Sequence, residues 1–305
     1  MKPELKPRHK GLTLRQQNNL WAYAFIAVPV IYFFLVRVWP TLSSFNVSLR
    51  SWNIVSTNRP FVGLDNYKQM YADPIFRKAL YNTLRYVLIG VPAQMVIALG
   101  IALLIQRVVK FAGVFRTAYF IPFITSAVAV SWVWRFMFMR HSGLINGILL
   151  KLGFPQQGFL NDPQQALWVI AASIIWQGLG FQIVIFLAGL LTIPQMYYEA
   201  AQIDGASEWQ IFKNITIPLL NPTIVFSSVL ATIRFLQTFT QIVNMSSQGR
   251  GGPLNSTLSV VLHIYQTAFE RFNMGYASAM TVVLFLIIMA ITIFQLKVLT
   301  KKFEY

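Results

Sequence analysis

Residues 167–191 read LWVIAASIIWQGLGFQIVIFLAGLL, and residues 192–222 follow as TIPQMYYEAAQIDGASEWQIFKNITIPLLNP. The first block carries no charge and is long enough to cross a bilayer core of about 30 Å, which takes a helix of roughly 20 residues. The second block changes character at once: it holds Glu199, Asp204 and Glu208, three of only nine acidic residues in the chain. Apolar sequence then resumes from about residue 219. A long uncharged run, a short acidic loop and a second apolar run are the pattern of a helical membrane protein that crosses the bilayer repeatedly.

Working outward, the whole chain of 305 residues repeats this texture. It is 56% hydrophobic and 15% aromatic, with a mean hydropathy of +0.56. Charged residues make up 11%, where soluble domains carry about 25%. A soluble helical protein of this length needs charged outer faces, and the long apolar segments have none. Six stretches qualify as spans, at about 20–39, 84–106, 117–139, 167–191, 219–244 and 277–296. The expected fold class is an all-α membrane protein of six transmembrane helices with a cytoplasmic helix–turn–helix. Pro29, Pro92 and Pro122 fall inside these spans, where neighbouring helices can satisfy the freed backbone groups. The run from Leu20 to Trp39 is too long for a signal-peptide core and has no small-residue cleavage site behind it.

An even number of spans puts both termini on one side. Lys2, Lys6, Arg8, Lys10 and Arg15 precede the first span, so residues 1–19 are expected to be a cytoplasmic tail. On that topology the cytoplasmic segments hold 12 Lys and Arg in 65 residues, and the opposite loops 9 in 103. The formal charge of +16 is therefore read as an orienting bias and not as a nucleic-acid surface. With no cysteine in the chain, disulfides and thiol chemistry are excluded. His9, His141 and His263 lack metal-ligand spacing, and His263 reads as a loop histidine. No G-x-x-x-x-G-K-[ST] loop occurs, so the chain is not expected to hold ATP phosphates itself. It is not read as an enzyme.

Local punctuation divides the loops. Asp73-Pro74 reads as an N-cap with proline in the first helical turn, opening a helix into the second span. Asp162-Pro163 reads the same way before the fourth. The loop 40–83, with Asn58-Arg59-Pro60 and Gly63, is long enough for a small folded cap outside. In the 192–218 loop, Thr192 with Gln195 fits a capping box, and a short helix should run to about Ile203. Gly205 can take the left-handed conformation that ends it. Ser207 with Gln210 fits a second box, whose helix should stop before Pro218. Ala200 and Ala201 offer a small surface beside Tyr197 and Tyr198, and Glu199 offers a carboxylate to a partner's bases. On these grounds alone the loop is either a docking element or an amphipathic helix lying at the interface.

The run EAAQIDGASEWQIFKNITIPLLNP resembles the EAA loop of ABC-importer permeases, with Glu199, Ala200, Ala201, Asp204, Gly205, Ala206 and Pro218 at the motif's positions. FVGLDNYKQMYADPIFRKALYNTL (61–84) resembles the segment before the second span of maltose- and glycerol-3-phosphate-type permeases. GGPLNSTLSVVLHIYQTAFERFNMGYASAM (251–280) resembles their last outer loop. The resemblance implies a coupling helix at Glu199–Gly205 seated in a cleft of an ATPase subunit. It implies a second homologous permease subunit, two cytosolic ATPases carrying the ATP and Mg, and an extracytoplasmic solute-binding protein. It also implies a sugar or sugar derivative as cargo and a place in the inner membrane. The chain departs from the maltose permease in having six spans against eight and no large inserted outer domain.

Polar residues inside spans are candidate functional groups. Ser227, Ala231, Arg234, Thr238 and Gln241 fall at steps of three and four, on one face of a continuous helix. By position, the resemblance places Arg234, Thr238 and Gln241 at the solute site, with Gln182 and Phe123 beside them. Interhelical hydrogen bonding is the competing role for the glutamines. For Arg234 the readings are an anionic group, a hydroxyl cluster, or a structural pair with Glu270. Arg37, Arg85 and Arg135 sit near span ends, where their side chains can reach the interface. Trp132, Trp134, Trp168 and Trp176 suit interfacial or packing roles. The alternatives are an ABC permease for a non-carbohydrate polar solute, an ion-coupled secondary transporter, which needs carboxylates in the spans, and an intramembrane hydrolase, which needs a paired nucleophile and base.

Overall fold

The computed structural model describes residues 13–56, 58–107 and 112–299. The basic tail before Thr13, the centre of the loop between the second and third predicted spans, and residues 300–305 lie outside the described residues. Among the described residues the chain is helical, with two isolated antiparallel bridges, Arg50 with Phe61 and Asn53 with Asn273. We label the helices α1 (Leu14–Ser48), α2 (Asp65–Ala72), α3 (Pro74–Arg107), α4 (Ala112–Ile124), α5 (Ala127–Met137), α6 (Leu144–Lys151) and α7 (Ala166–Leu191). They continue as α8 (Gln195–Ile203), α9 (Glu208–Leu219), α10 (Asn221–Leu236), α11 (Thr240–Met245), α12 (Val260–Tyr265) and α13 (Met274–Leu299).

Four of these, α1, α3, α7 and α13, are each long and apolar enough to cross a membrane. Two bent pairs, α4 with α5 and α9 with α10, would make six. The third and fifth predicted spans are therefore not straight helices. The α4–α5 pair bends by 95° across Thr125 and Ser126, and α9–α10 by 68° at Leu220. The fifth span breaks a second time between Leu236 and Thr240, where Phe239 leaves the helical region at φ −140°, ψ −61°.

The core is built on α3 against α7, with α10 beside them. Tyr86, Ile170, Ile174 and Phe235 are fully buried in one cluster, and Ala98, Ala102, Ile183, Phe186 and Leu190 in a second. Helix α7 is apolar nearly all round, as a span enclosed by other helices should be. Helix α1 is different. It opens on a Thr13–Gln16 capping box, widens through a π-helical turn at Phe34–Val38, and buries nothing along Leu14–Phe33. Its far end packs on α13 through Phe45, edge-on to Phe285 with ring centroids 6.0 Å apart.

The 49–64 segment folds back as a cap. Asn66 Nδ2 donates to the carbonyls of Ser48 and Arg50, and the Gly275 N–H donates to Trp52 O. A side chain at Gly275 would meet Arg50 O at 2.2 Å, so this junction depends on glycine. Asp73 caps α3 as expected, accepting from the Ile75 N–H at 2.8 Å. The same carboxylate accepts from Tyr276 Oη at 2.8 Å and lies 3.4 Å from His263 Nε2. It thereby ties the starts of α3 and α13 to α12. His263 is fully buried here, not a surface loop histidine. Burial pushes its imidazole pKa down, partly offset by Asp73. Burial works against ionisation of Asp73 too, but hydrogen bonds from Tyr276, the Ile75 and Phe76 N–H groups and His263 outweigh it and hold the carboxyl below its usual range. Asp162 caps a turn, accepting from the Gln164 N–H at 2.7 Å, and α7 starts four residues later.

Candidate functional site

Two groups of predicted residues emerge, one in the 192–219 loop and one at the breaks in the membrane-spanning helices. In the loop, α8 begins after Pro194 with no side-chain cap, because the Thr192 hydroxyl turns back to donate to Gly189 O at 2.7 Å. The expected Thr192–Gln195 box does not form. Its other end does as expected. Gly205 takes φ +74°, the Ala206 N–H donates to Ala201 O at 2.9 Å and the Gly205 N–H to Gln202 O at 3.1 Å. Those two bonds satisfy the last carbonyls of the helix, and the left-handed residue between them favours glycine. Ser207 and Gln210 form the second box, with the Ser207 N–H donating to Gln210 Oε1 at 2.7 Å. Pro218 does not stop α9. A π-helical turn at Phe212–Thr216 precedes it, and the helix continues to Leu219.

Glu199, Ala200, Asp204 and Gly205 are exposed and Ala201 half-buried, and α8 buries no residue. Large apolar side chains share that surface: Ile203 is 86% exposed, Trp209 68% and Met196 67%. The loop is held to the helical body by Ile193 and Leu220, both in the second core, and its two helices meet where Tyr198 Oη lies 3.4 Å from Thr216 Oγ1. Behind it opens a cleft of about 620 Å³ lined by Leu103, Gln106, Gln195, Tyr198, Trp209 and Phe212, among others.

The second group centres on α7. Gln177, which sequence reasoning passed over, donates from Nε2 to Thr125 O at 3.3 Å, at the α4–α5 break. Its Oε1 accepts from Gln241 Nε2 at 3.0 Å, in α11 just past the break of the fifth span. Both glutamines are buried. A single side chain of α7 therefore bridges the two interruptions, taking up a backbone carbonyl at the first and a glutamine side chain at the second. Ser259 Oγ donates to Thr238 O at 2.7 Å, while Thr238 Oγ1 donates to Phe235 O at 2.9 Å. Gln182 donates to Ser227 O at 3.0 Å. Phe123 stacks on Phe181, with centroids 5.0 Å and planes 18° apart.

Arg234 sits in the last turn of α10, half-buried. Its Nη1 and the Gln94 amide converge on Gly178: a side chain there would meet them at 2.6 and 2.7 Å. Among the described residues Arg234 forms no ion pair, and the pairing considered with Glu270 is absent, Glu270 being exposed. The break at Gln237 also divides the row expected on one face, so Arg234 and Gln241 belong to different helical segments. Their sequence spacing carried no sign of this, nor of Gln94, Gln177 and Gly178. Arg135 is fixed by more than the interface, its Nη1 donating to Asn244 O at 3.2 Å.

Comparison with known proteins assigns this architecture. Residues 144–305 match the family model "binding-protein-dependent transport system inner membrane component". The chain is 39% identical over 285 residues to the probable ABC transporter permease protein YesP of Bacillus subtilis, covering 92% of this chain and 91% of that one. It is 34% identical to the lactose transport system permease protein LacF of Rhizobium radiobacter, covering 93% and 95%. It is also 34% identical to the sulfoquinovosyl glycerol transport system permease protein SmoG of Agrobacterium fabrum, covering 93% and 92%. A chain from the crystal structure of a bacterial ABC transporter involved in the import of the acidic polysaccharide alginate superposes with a TM-score of 0.79 at 23% identity, over 93% of this chain and 96% of that one. With a bent, interrupted helical body and relatives matched along nearly their full length, the chain belongs to the binding-protein-dependent transport system inner membrane components, the permease subunits of ABC transporters.

Proposed function

We propose that the chain forms one half of the translocation path of an importer for a sugar or sugar derivative. The relatives whose names give a cargo point to saccharides, lactose and sulfoquinovosyl glycerol among them. On this reading a second homologous permease completes the path, an extracytoplasmic binding protein delivers the solute, and two cytosolic ATPases with ATP and Mg supply the work. Both termini and residues 192–218 face the cytoplasm. Glu199, Ala200, Ala201, Asp204 and Gly205 form the docking surface for an ATPase. Phe123, Gln182, Arg234, Thr238 and Gln241 lie along the solute path.

The observation that carries the reading is the exposed loop. A short helix with no buried residue presents Glu199 and Asp204 among exposed Met196, Ile203 and Trp209 on a rigidly capped turn. A passive interfacial helix needs no carboxylates at its tip and gains nothing from so firm a turn. Closure of the ATPases pushes on this turn, α9 carries the motion to the bend at Leu220, and the interrupted helices re-aim around Gln177. Glu199→Arg tests it. Uptake and solute-stimulated ATP hydrolysis should both be abolished while the protein still inserts and assembles in the membrane; normal uptake by this variant contradicts the docking role.

A further inference from the structure

We propose that the cargo is an acidic saccharide, whose carboxylate is received by the Arg234 guanidinium at the interrupted fifth span after passing a cationic vestibule formed by Arg135 and Arg140. The inference rests on the reading of this chain as a sugar permease and adds the charge of the sugar.

Arg234 is the first ground. A guanidinium at membrane depth is costly even on permissive insertion scales, so such groups pair or serve a polar pathway. Among the described residues this one makes no ion pair and its guanidinium no hydrogen bond. The seven described acids are Asp65, Asp73, Asp162, Glu199, Asp204, Glu208 and Glu270; none lies within 4 Å of it, so the protein supplies no described counter-charge. The planar fork matches a carboxylate with two parallel hydrogen bonds, an arrangement a neutral hydroxyl cannot reproduce.

Its surroundings are the second ground. Gln94 is 1% exposed, and its Oε1 is buried without a partner beside the same glycine. Ser227 Oγ, two helical turns earlier on α10, is likewise buried and unpartnered. Buried polar atoms are ordinarily satisfied. A saccharide carries both a carboxylate for the guanidinium and hydroxyls for a glutamine amide and a serine.

The vestibule is the third. A cavity of about 260 Å³ is lined by Arg135, Arg140 and His141, together with Ser142, Asn161 and Ser247, and no acid among the described residues lines it. Arg135 of α5 is held by Asn244 O of α11, the segment that follows the break, so the interrupted fifth span carries Arg234 before the break and anchors a cation of its neighbour beyond it. Cations of one sign without acids attract anions and repel cations along such a route.

The test uses the full chain purified with its co-assembled subunits and reconstituted into phosphatidylcholine vesicles, so that no anionic lipid competes. ATP hydrolysis is measured with binding protein and matched pairs of di- and trisaccharides of glucose, galactose and mannose, neutral or oxidised to the uronate at C6. We expect stimulation by a uronate member, reduced at least tenfold in Arg234→Gln and less severely in Arg234→Lys, which keeps the charge but not the fork. Stimulation by a neutral sugar alone overturns the charge assignment and leaves the sugar reading standing; no stimulation by any sugar overturns both. Unchanged uronate stimulation in Arg234→Gln overturns the role of Arg234. Loss of the co-purifying permease in Arg234→Gln also overturns it, by assigning the guanidinium to a carboxylate of that subunit.

Discussion

Two glycines on α7, one helical step-pair apart, should respond in opposite ways to the same added methyl group. At Gly180 the new Cβ would sit 2.1 Å from Tyr119 O and 2.8 Å from Phe120 Cα, both backbone atoms of α4. Comfortable contact for carbon begins near 3.5 Å, so α4 and α7 must part by about 1 Å. Overpacking of this kind costs about 1–3 kcal/mol, which in a chain of this size lowers the melting midpoint by about 2–5 °C. At Gly178 the atoms met are the tips of Arg234 and Gln94, at 2.6 and 2.7 Å, and those side chains can turn away. Replacing a helical glycine by alanine also gains about 1 kcal/mol of helix propensity. Gly178→Ala should therefore melt within about 2 °C of the parent while transporting several-fold more slowly, because the guanidinium is displaced. Melting of the detergent-purified protein, paired with uptake into vesicles, separates the two. A Gly180→Ala protein as stable as the parent, or a Gly178→Ala protein less stable than Gly180→Ala, refutes this account of how α7 meets its neighbours.

Asp73→Ala removes an N-cap and two side-chain hydrogen bonds together, and should lower stability by about 3 kcal/mol; Asp73→Asn, which keeps an acceptor, should lose less in the same melting assay. Stability should also fall on mild acidification. His263 binds its proton less readily when folded than when unfolded, so below the ordinary imidazole value of about 6.5 the unfolded chain takes up the proton first. The loss amounts to at most about 1.4 kcal/mol per pH unit and is confined to that range, until the folded imidazole titrates as well. The groups facing it are Asp73, Tyr276 and Arg271, and His263→Gln should flatten the slope measured between pH 8 and pH 5.5. The Asp73 contribution is present above its ordinary value of about 3.9 and is lost only at lower pH.

The local grammar of this chain was legible where a residue acts on its own backbone. Asp73 caps α3, Gly205 ends α8 and Ser207 with Gln210 opens α9, each within four residues of its partner. Long uncharged runs likewise announced α3, α7 and α13. What the sequence hid are interruptions sustained by distant side chains. No glycine or proline occupies Thr125-Ser126 or Gln237–Phe239. Those breaks persist because Gln177 of α7 takes up Thr125 O and Ser259 takes up Thr238 O. Helical periodicity over 219–244 therefore placed Arg234 and Gln241 on one face of a helix that does not exist as one piece. Thr192 failed as a cap for a related reason: its hydroxyl has a competing acceptor in Gly189 O. Pro218 failed as a stop because the wider turn ahead of it removes the need for its missing N–H. At the candidate site the residue types were readable, but their partners were not: Gln94, Gln177 and Gly178 join it only through packing.

The native chain contains no cysteine, so one introduced at Ala200 is a unique chemical handle on the exposed tip of α8. In inside-out membrane vesicles containing the assembled transporter, a short bifunctional thiol reagent should link Ala200→Cys to a nucleotide-hydrolysing subunit and arrest solute-stimulated ATP hydrolysis. Should that cysteine instead be modified by a membrane-impermeant maleimide in intact cells and yield no such crosslink, the loop is not where an ATPase drives this permease.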